Sequence, residues 1–201
     1  MLTWTRRCGS CISAICDLEP AREVLGRLHA PLGVFVVRGN WENWNKPPNE
    51  ASFYASVGAT LLVNEGRLLR RDIWIAGLDD PMSGAADIGA SQVGAPPDAL
   101  RVVLFHSPEY FDDAAPKIDL AFAGHTHGGQ VRIPLLGPLW MPPGSGRFLE
   151  GWYTTGSARM LVSRGVGTSL LPVRLFCPAE VAMVDIRPAA PAASTGDHPN
   201  L

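Results

Sequence analysis

Apolar positions in this chain fall in short continuous runs, each closed by glycine, proline or a polar cluster, with few long helical stripes. Val34-Phe35-Val36-Val37, Arg101-Val102-Val103-Leu104-Phe105 and Ile118-Asp119-Leu120-Ala121-Phe122-Ala123 have the length and continuity of strands buried on both faces by flanking layers. Further strands are predicted at 60–63, 67–69 and 73–77, with Asn64-Glu65-Gly66 read as a hairpin turn between the first two. The runs at 151–153, 160–163 and 181–186 complete the set, with antiparallel pairing expected among them. Helical spacing is found in two places. One begins at Asp17, a capping residue, with Glu19 and Pro20 in the first turn and Val24, Leu25 and Leu28 as the apolar stripe, and it ends before Pro31. The other runs from Glu50 to Val57. Residues 80–98 and 134–147 read as loops, the first with one helical turn. Residues 1–16 read as an irregular leader, 17–187 as the domain and 188–201 as a disordered tail.

This order of elements predicts a layered α/β fold with mixed sheets. Three of its apolar strands run straight into polar loops, and in open α/β sheets ligands bind outside the carboxyl ends of strands, so these loops are expected to converge. Composition narrows the class. With 21 Gly and 18 Pro in 201 residues, turns are frequent and an all-helical bundle is excluded. The 17 basic and 19 acidic side chains leave a net charge of −2, which excludes a nucleic-acid partner held by bulk charge. No run has the length of a membrane span, and the start lacks the apolar stretch of a signal peptide, so a soluble, cytoplasmic protein is expected. Cys8 and Cys11 form a CxxC, but Cys16 and Cys177 do not make the second pair a zinc site needs, and these thiols read as reduced cysteines.

The candidate chemistry lies at the strand ends: Asn40 after the first apolar strand, His106 after the second, and His125 and His127 after the third. Imidazoles bind borderline divalent ions, and an amide oxygen suits the harder ones among them. His125 and His127 turn toward one centre only if the chain bends sharply. Gly124, Gly128 and Gly129 permit that bend, because glycine accepts positive φ without a steric penalty. His29, late in a helix, and His198, in the tail, read as bystanders.

Gly39-Asn40, the isolated His106 and Gly124-His125-Thr126-His127-Gly128-Gly129-Gln130 together resemble the calcineurin-like metallophosphoesterases, and GHTHGGQ resembles their YkuE-type bacterial branch. The segments 163–169, 172–174 and 177–180 are similar to that branch's closing signature, and the resemblance covers residues 17–187. It implies a four-layer α/β/β/α sandwich with divalent metals at the strand ends, drawn from Mn, Fe, Zn or Ni. It further implies that Asn40, His106 and His125 bind one ion and His127 a second, and that a metal-activated water attacks a phosphate ester or pyrophosphate. The implied substrate is a phosphorylated small molecule or a lipid-like one, hydrolysed by an enzyme acting on ester bonds.

The sequence also departs from the family pattern. The family opens with an Asp-x-His and a Gly-Asp; this chain has no Asp-x-His, and its Gly-Asp is Gly196-Asp197 in the tail. The expectation is therefore an N-terminally incomplete sandwich of impaired activity, with Asp17 a poor stand-in ligand and donors sufficient for one metal. Trp41 stands where the family has its catalytic His, so no catalytic side chain is assigned. An indole has only an N–H to offer and cannot act as a general acid, which leaves Trp41 a substrate-binding role or a packing one. A second reading of the same residues is a non-catalytic domain that binds one metal or none and serves as a scaffold.

Overall fold

A computed structural model describes residues 19–169 and 171–187. The leader at 1–16 with Cys8, Cys11 and Cys16, the candidate ligand Asp17, and the tail at 188–201 with His198 lie outside the described residues.

The chain enters through α1 (Glu19–Leu25) and β1 (Val34–Val36), continues through α2 (Asn40–Asn45) and α3 (Glu50–Ser56), and returns as β2 (Ala59–Leu61). β1 and β2 pair in parallel as a narrow two-stranded sheet. A larger sheet follows, from β3 (Glu65–Arg70) and β4 (Ile73–Gly77), then the short α4 (Ile88–Ser91) and β5 (Leu100–Leu104), then α5 (Phe111–Ala114) and β6 (Leu120–Ala123). A small hairpin, β7 (Arg132–Ile133) and β8 (Gly137–Pro138), precedes β9 (Gly151–Thr155) and β10 (Ala158–Val162). The larger sheet has the order β3-β4-β5-β6-β10-β9. Its four central strands are parallel, and β3 and β9 pair antiparallel at the two edges.

Alternation along the central strands explains the layers. On β4, β5 and β6, the residues Trp74, Ala76, Val103, Ala121 and Ala123 face a core shared with α4 and α5. Their neighbours Ile75, Val102 and Leu120 face a second core that includes Leu62 and Phe35 from the small-sheet side. Both faces of these strands are therefore buried, which is why the sequence writes them as unbroken apolar runs. On the far side of the small sheet, α1 and α3 lie together: Arg22 donates to Ser56 Oγ at 2.9 Å and its guanidinium lies 5.0 Å from the centroid of Phe53. The molecule is a mixed-sheet α/β sandwich of four layers, as expected.

Two expectations require correction. Asn64-Glu65-Gly66 does not close a hairpin between its flanking strands, because β2 belongs to the small sheet and β3 to the large one. Asn64, with φ of 53°, carries the chain across between sheets, and its side-chain oxygen accepts from the backbone N–H groups of Asp79 and Asp87. The hairpin falls one step later, between β3 and β4. Residues 181–186 are not a strand: they run without regular secondary structure, with Val181, Met183 and Ile186 exposed. The alternating pattern that suggested a strand is there, because Ala182 and Val184 are half-buried, but no neighbouring chain among the described residues pairs with it. No helix among the described residues is long and apolar enough to cross a membrane.

Candidate functional site

Each candidate residue sits where a strand ends and the chain turns. Gly39 caps α2, and its backbone N–H donates to Glu42 Oε2 at 2.9 Å. A Cβ at Gly39 would come within 3.1 Å of both the Glu42 carboxylate and the His106 ring, so a side chain here would press on both. That turn delivers Asn40, whose side-chain oxygen accepts a hydrogen bond from His106 Nε2 at 3.0 Å. The His106 and His125 rings meet edge to face with centroids 4.9 Å apart. Asn40 and the three histidines are only 5–9% exposed. The structure thus gathers Asn40, His106 and His125, with His127 on the same turn as His125.

The GHTHGGQ loop is a series of locked positions. His125 and His127 have φ of 66° and 51°, in the left-handed region that non-glycine residues rarely occupy. The strain is held from several sides. Thr126 Oγ1 donates to the Leu149 carbonyl and accepts from the Gly128 N–H. Gln130 donates to the carbonyls of Ser169 and Leu171 and accepts from the Ser169 N–H. A Cβ on Gly128 would lie 2.8 Å from Cys177 Sγ and 2.6 Å from Arg164 Cγ, so the loop packs directly on the following segment.

Electrostatics keep the imidazoles neutral. Burial, then the neighbouring histidines, drive His106 well below its ordinary value. Burial also lowers His125, against the opposing pull of the Pro143 carbonyl and Asp80. His127 is lowered to about 4, by burial first, with the Arg174 guanidinium and His125 adding to it and the Gly167 carbonyl opposing. Neutral imidazole is the form that binds metals. In this arrangement His125 Nε2 donates to the Pro143 carbonyl at 2.6 Å and His127 Nδ1 donates to the Gly167 carbonyl at 3.2 Å. That second bond fixes the His127 tautomer with Nε2 as the acceptor nitrogen.

Metal fit rests on these donors. Three neutral imidazoles and an amide oxygen suit one borderline divalent ion. Among the described residues, however, no group of three or more His, Cys, Asp or Glu side chains is gathered closely enough to hold a metal ion. Among the described residues, no carboxylate joins these donors in a group able to hold a metal ion. Asp80 is buried, with one oxygen accepting from Ser107 Oγ and the other from the Ser83 hydroxyl and N–H.

A cavity of about 650 Å³ opens over Asn40, His125 and His127. Trp41 lines it, with its ring in edge contact with Trp44 at 5.5 Å, and Met82 and Trp140 complete its apolar walls. His106 faces a different space, a groove of about 600 Å³ shared with Glu42 and β1. Trp152 and Tyr153 are not part of the cavity: Trp152 lies under the Arg159 guanidinium, and Tyr153 packs on Phe148.

Two further residues contribute to the site. Asp80 follows β4 as His106 follows β5, so the strand-end argument that found the histidines also reaches Asp80. Arg174 carries no such signal. Its guanidinium donates to the carbonyls of His127, Arg164, Gly165, Gly167 and Cys177, pinning the histidine loop to the segment after β10.

Sandwich and histidine loop together define a metallophosphoesterase-type domain, and comparison with known proteins agrees. The chain is 31% identical over 174 residues to "Uncharacterized metallophosphoesterase YkuE" of Bacillus subtilis, an overlap of 82% of this chain and 59% of that protein. It is 33% identical over 136 residues to "Phosphodiesterase YaeI" of Escherichia coli, covering 65% of this chain and 48% of that one. An uncharacterized metallophosphoesterase of Aquifex aeolicus is 29% identical over 183 residues, 85% of this chain and 67% of that protein. The chain thus spans roughly half the length of the first two of these relatives. No family model matches it, and no solved structure does. The chain belongs to the calcineurin-like metallophosphoesterase family.

Proposed function

We propose that this domain hydrolyses a phosphate ester or pyrophosphate with a divalent ion, Mn, Fe, Zn or Ni, held by Asn40, His106 and His125. His127 is the donor remaining for a second ion. What supports this reading is adjacency at three strand ends: buried Asn40 is hydrogen-bonded to His106, and the His106 ring meets that of His125 edge to face. An ion bound there supplies Lewis acidity and lowers the pKa of a water in the cavity.

The chain's own residues do the remainder. Asn40 orients the His106 ring through its amide oxygen. Gly167 sets the His127 tautomer, and Arg174 holds the loop that carries it. Trp41, Trp44 and Trp140 line the cavity, with Trp44 and Trp140 open to solvent at its edge. Trp41 contributes packing and an indole donor for a phosphoryl oxygen, with no proton to transfer.

One observation favours the second reading, a non-catalytic domain that binds one metal or none and acts as a scaffold: among the described residues, no carboxylate joins the donor set to offset the charge of two dications. Hydrolysis of bis-p-nitrophenyl phosphate with added Mn²⁺ separates the two. The enzyme reading expects metal-dependent turnover that falls about tenfold or more in His127→Ala, the scale of losing one metal-site contact. Equal rates in wild type and His127→Ala would overturn it.

A further inference from the structure

β4 ends at Gly77, and the chain continues through Leu78 into Asp79-Asp80-Pro81-Met82-Ser83-Gly84. Aspartate opens a turn well and proline suits its second position, so this run folds back locally. Asp80 Oδ2 accepts from the Ser83 N–H at 3.0 Å and from the Ser83 hydroxyl, and the Gly84 N–H donates to the Asp80 carbonyl at 2.8 Å. Asp80 is fully buried, a place where carboxylates are rare unless donors surround them.

The turn reaches out in three directions. Asp80 Oδ1 accepts from Ser107 Oγ, on the residue that follows His106. Asp79 Oδ1 accepts from Asn43 Nδ2 at 2.9 Å, and Asn43 lies one helical turn along α2 from Asn40. A Cβ on Gly84 would lie 2.4 Å from Asp79 Oδ2 and 2.5 Å from Asn43 Nδ2, so the turn and α2 are in direct contact. Met82, at the tip, packs on Gly144 so closely that a Cβ there would lie 3.0 Å from three of its side-chain atoms. Gly144 follows Pro143, whose carbonyl accepts from His125 Nε2. Asn40, His106 and His125 come from different stretches of the chain, and this one turn touches the support of each. Hydrogen-bonded supports of this kind set the orientation of the side chains they carry.

We propose that Asp80, with Asp79, is a positioning residue: the 79–84 turn brackets Ser107, Asn43 and Gly144 and thereby fixes the contact between Asn40 and His106. That this contact serves a divalent ion rests on the phosphoesterase reading; the bracket itself does not. The experiment follows the His106 Nε2 proton, donated to Asn40, by ¹⁵N–¹H NMR of the full chain labelled at histidine, at a single pH and with no metal added. Wild type should show one slowly exchanging signal. In Asp80→Ala it should exchange at least about tenfold faster, the local opening expected when the Ser107 and Ser83 donors lose their buried acceptor. Ser107→Ala cuts one arm alone and should speed exchange in the same direction, which keeps the link testable if Asp80→Ala does not fold. Asp80→Asn should stay close to wild type, because its amide oxygen still takes the Ser83 donors while its NH₂ faces the Ser107 hydroxyl, which can turn to accept. Ile118→Ala removes buried apolar atoms just before β6, at the opposite end of the parallel strands, and should leave the proton as protected as in wild type. Urea unfolding checks that each variant is folded under the NMR conditions. Four results would each overturn the proposal: no protected His106 proton in wild type, exchange unchanged in Asp80→Ala and Ser107→Ala, protection lost in Asp80→Asn as fully as in Asp80→Ala, or protection lost equally in Ile118→Ala. No turnover is measured, so a failure here and a negative hydrolysis assay are distinguishable.

Discussion

At His127, burial, the Arg174 guanidinium and the His125 ring hold the imidazole neutral down to about 4, against an ordinary value of 6.5. Between those values the unfolded chain binds the proton and the folded chain does not. The stability this position contributes is therefore complete above 6.5 and is lost as pH falls toward 4. Glu42 works in the opposite sense. Burial raises its carboxyl from 4.5 to about 7, so the folded chain binds the extra proton in that window and the contribution declines as pH rises through it. Glu42→Gln should accordingly raise the Tm at pH 8 and change it little at pH 5, as read by scanning calorimetry; a lower Tm at pH 8 would contradict the burial argument. Arg174 is the other residue-scale test. A lysine ammonium is a compact charge that cannot reproduce the fork reaching five carbonyls, so Arg174→Lys should cost about 2 kcal/mol and loosen the histidine loop. Urea unfolding measures the cost, and an unchanged midpoint would refute it. Gly128 and Gly129 take the positive φ, 62° and 78°, that glycine tolerates, whereas Gly124 does not and the bend there falls on His125. The left-handed backbone of His125 and His127 is not legible in the sequence, since it is imposed by Gln130, Thr126 and Arg174 from distant parts of the loop network.

Elements are legible in the sequence where burial on both faces leaves an unbroken apolar run, as in β4, β5 and β6. They are not where the deciding contact is remote in sequence. The 181–186 segment alternates like a strand yet has no pairing neighbour among the described residues, and alternation alone does not create a ladder. Asn64 looked like a hairpin residue because its positive φ serves a sheet-to-sheet crossing as readily as a hairpin. The closeness of the two sheets yields its own prediction. A Cβ on Gly77 would meet Leu62 Cβ at 2.5 Å and Val37 Cγ1 at 2.7 Å, so β4 and the small-sheet side touch there without room for a methyl group. Gly77→Ala should destabilise the fold by about 1–3 kcal/mol through overpacking. A thermal midpoint equal to wild type would mean the sheets separate freely at that point.

For the whole molecule, the α/β class and the layered order were legible from the succession of strands and helices. The uneven width of the layers was not. The large sheet has six strands and the small sheet two, so β1 pairs with β2 alone among the described residues and a groove of about 600 Å³ remains beside it. His106 lines this groove and Asn40 lines the histidine cavity, and the hydrogen bond between them joins the two. The proposed divalent-metal site is formed by this buried amide and the imidazoles beside it. Mn²⁺ binding to the purified chain, followed by electron paramagnetic resonance, is the decisive measurement. About one equivalent per chain should bind, the capacity of a three-donor site, and binding should be abolished in His106→Ala/His125→Ala. Undiminished Mn²⁺ binding in that double variant, or its absence in the folded wild type, would contradict it.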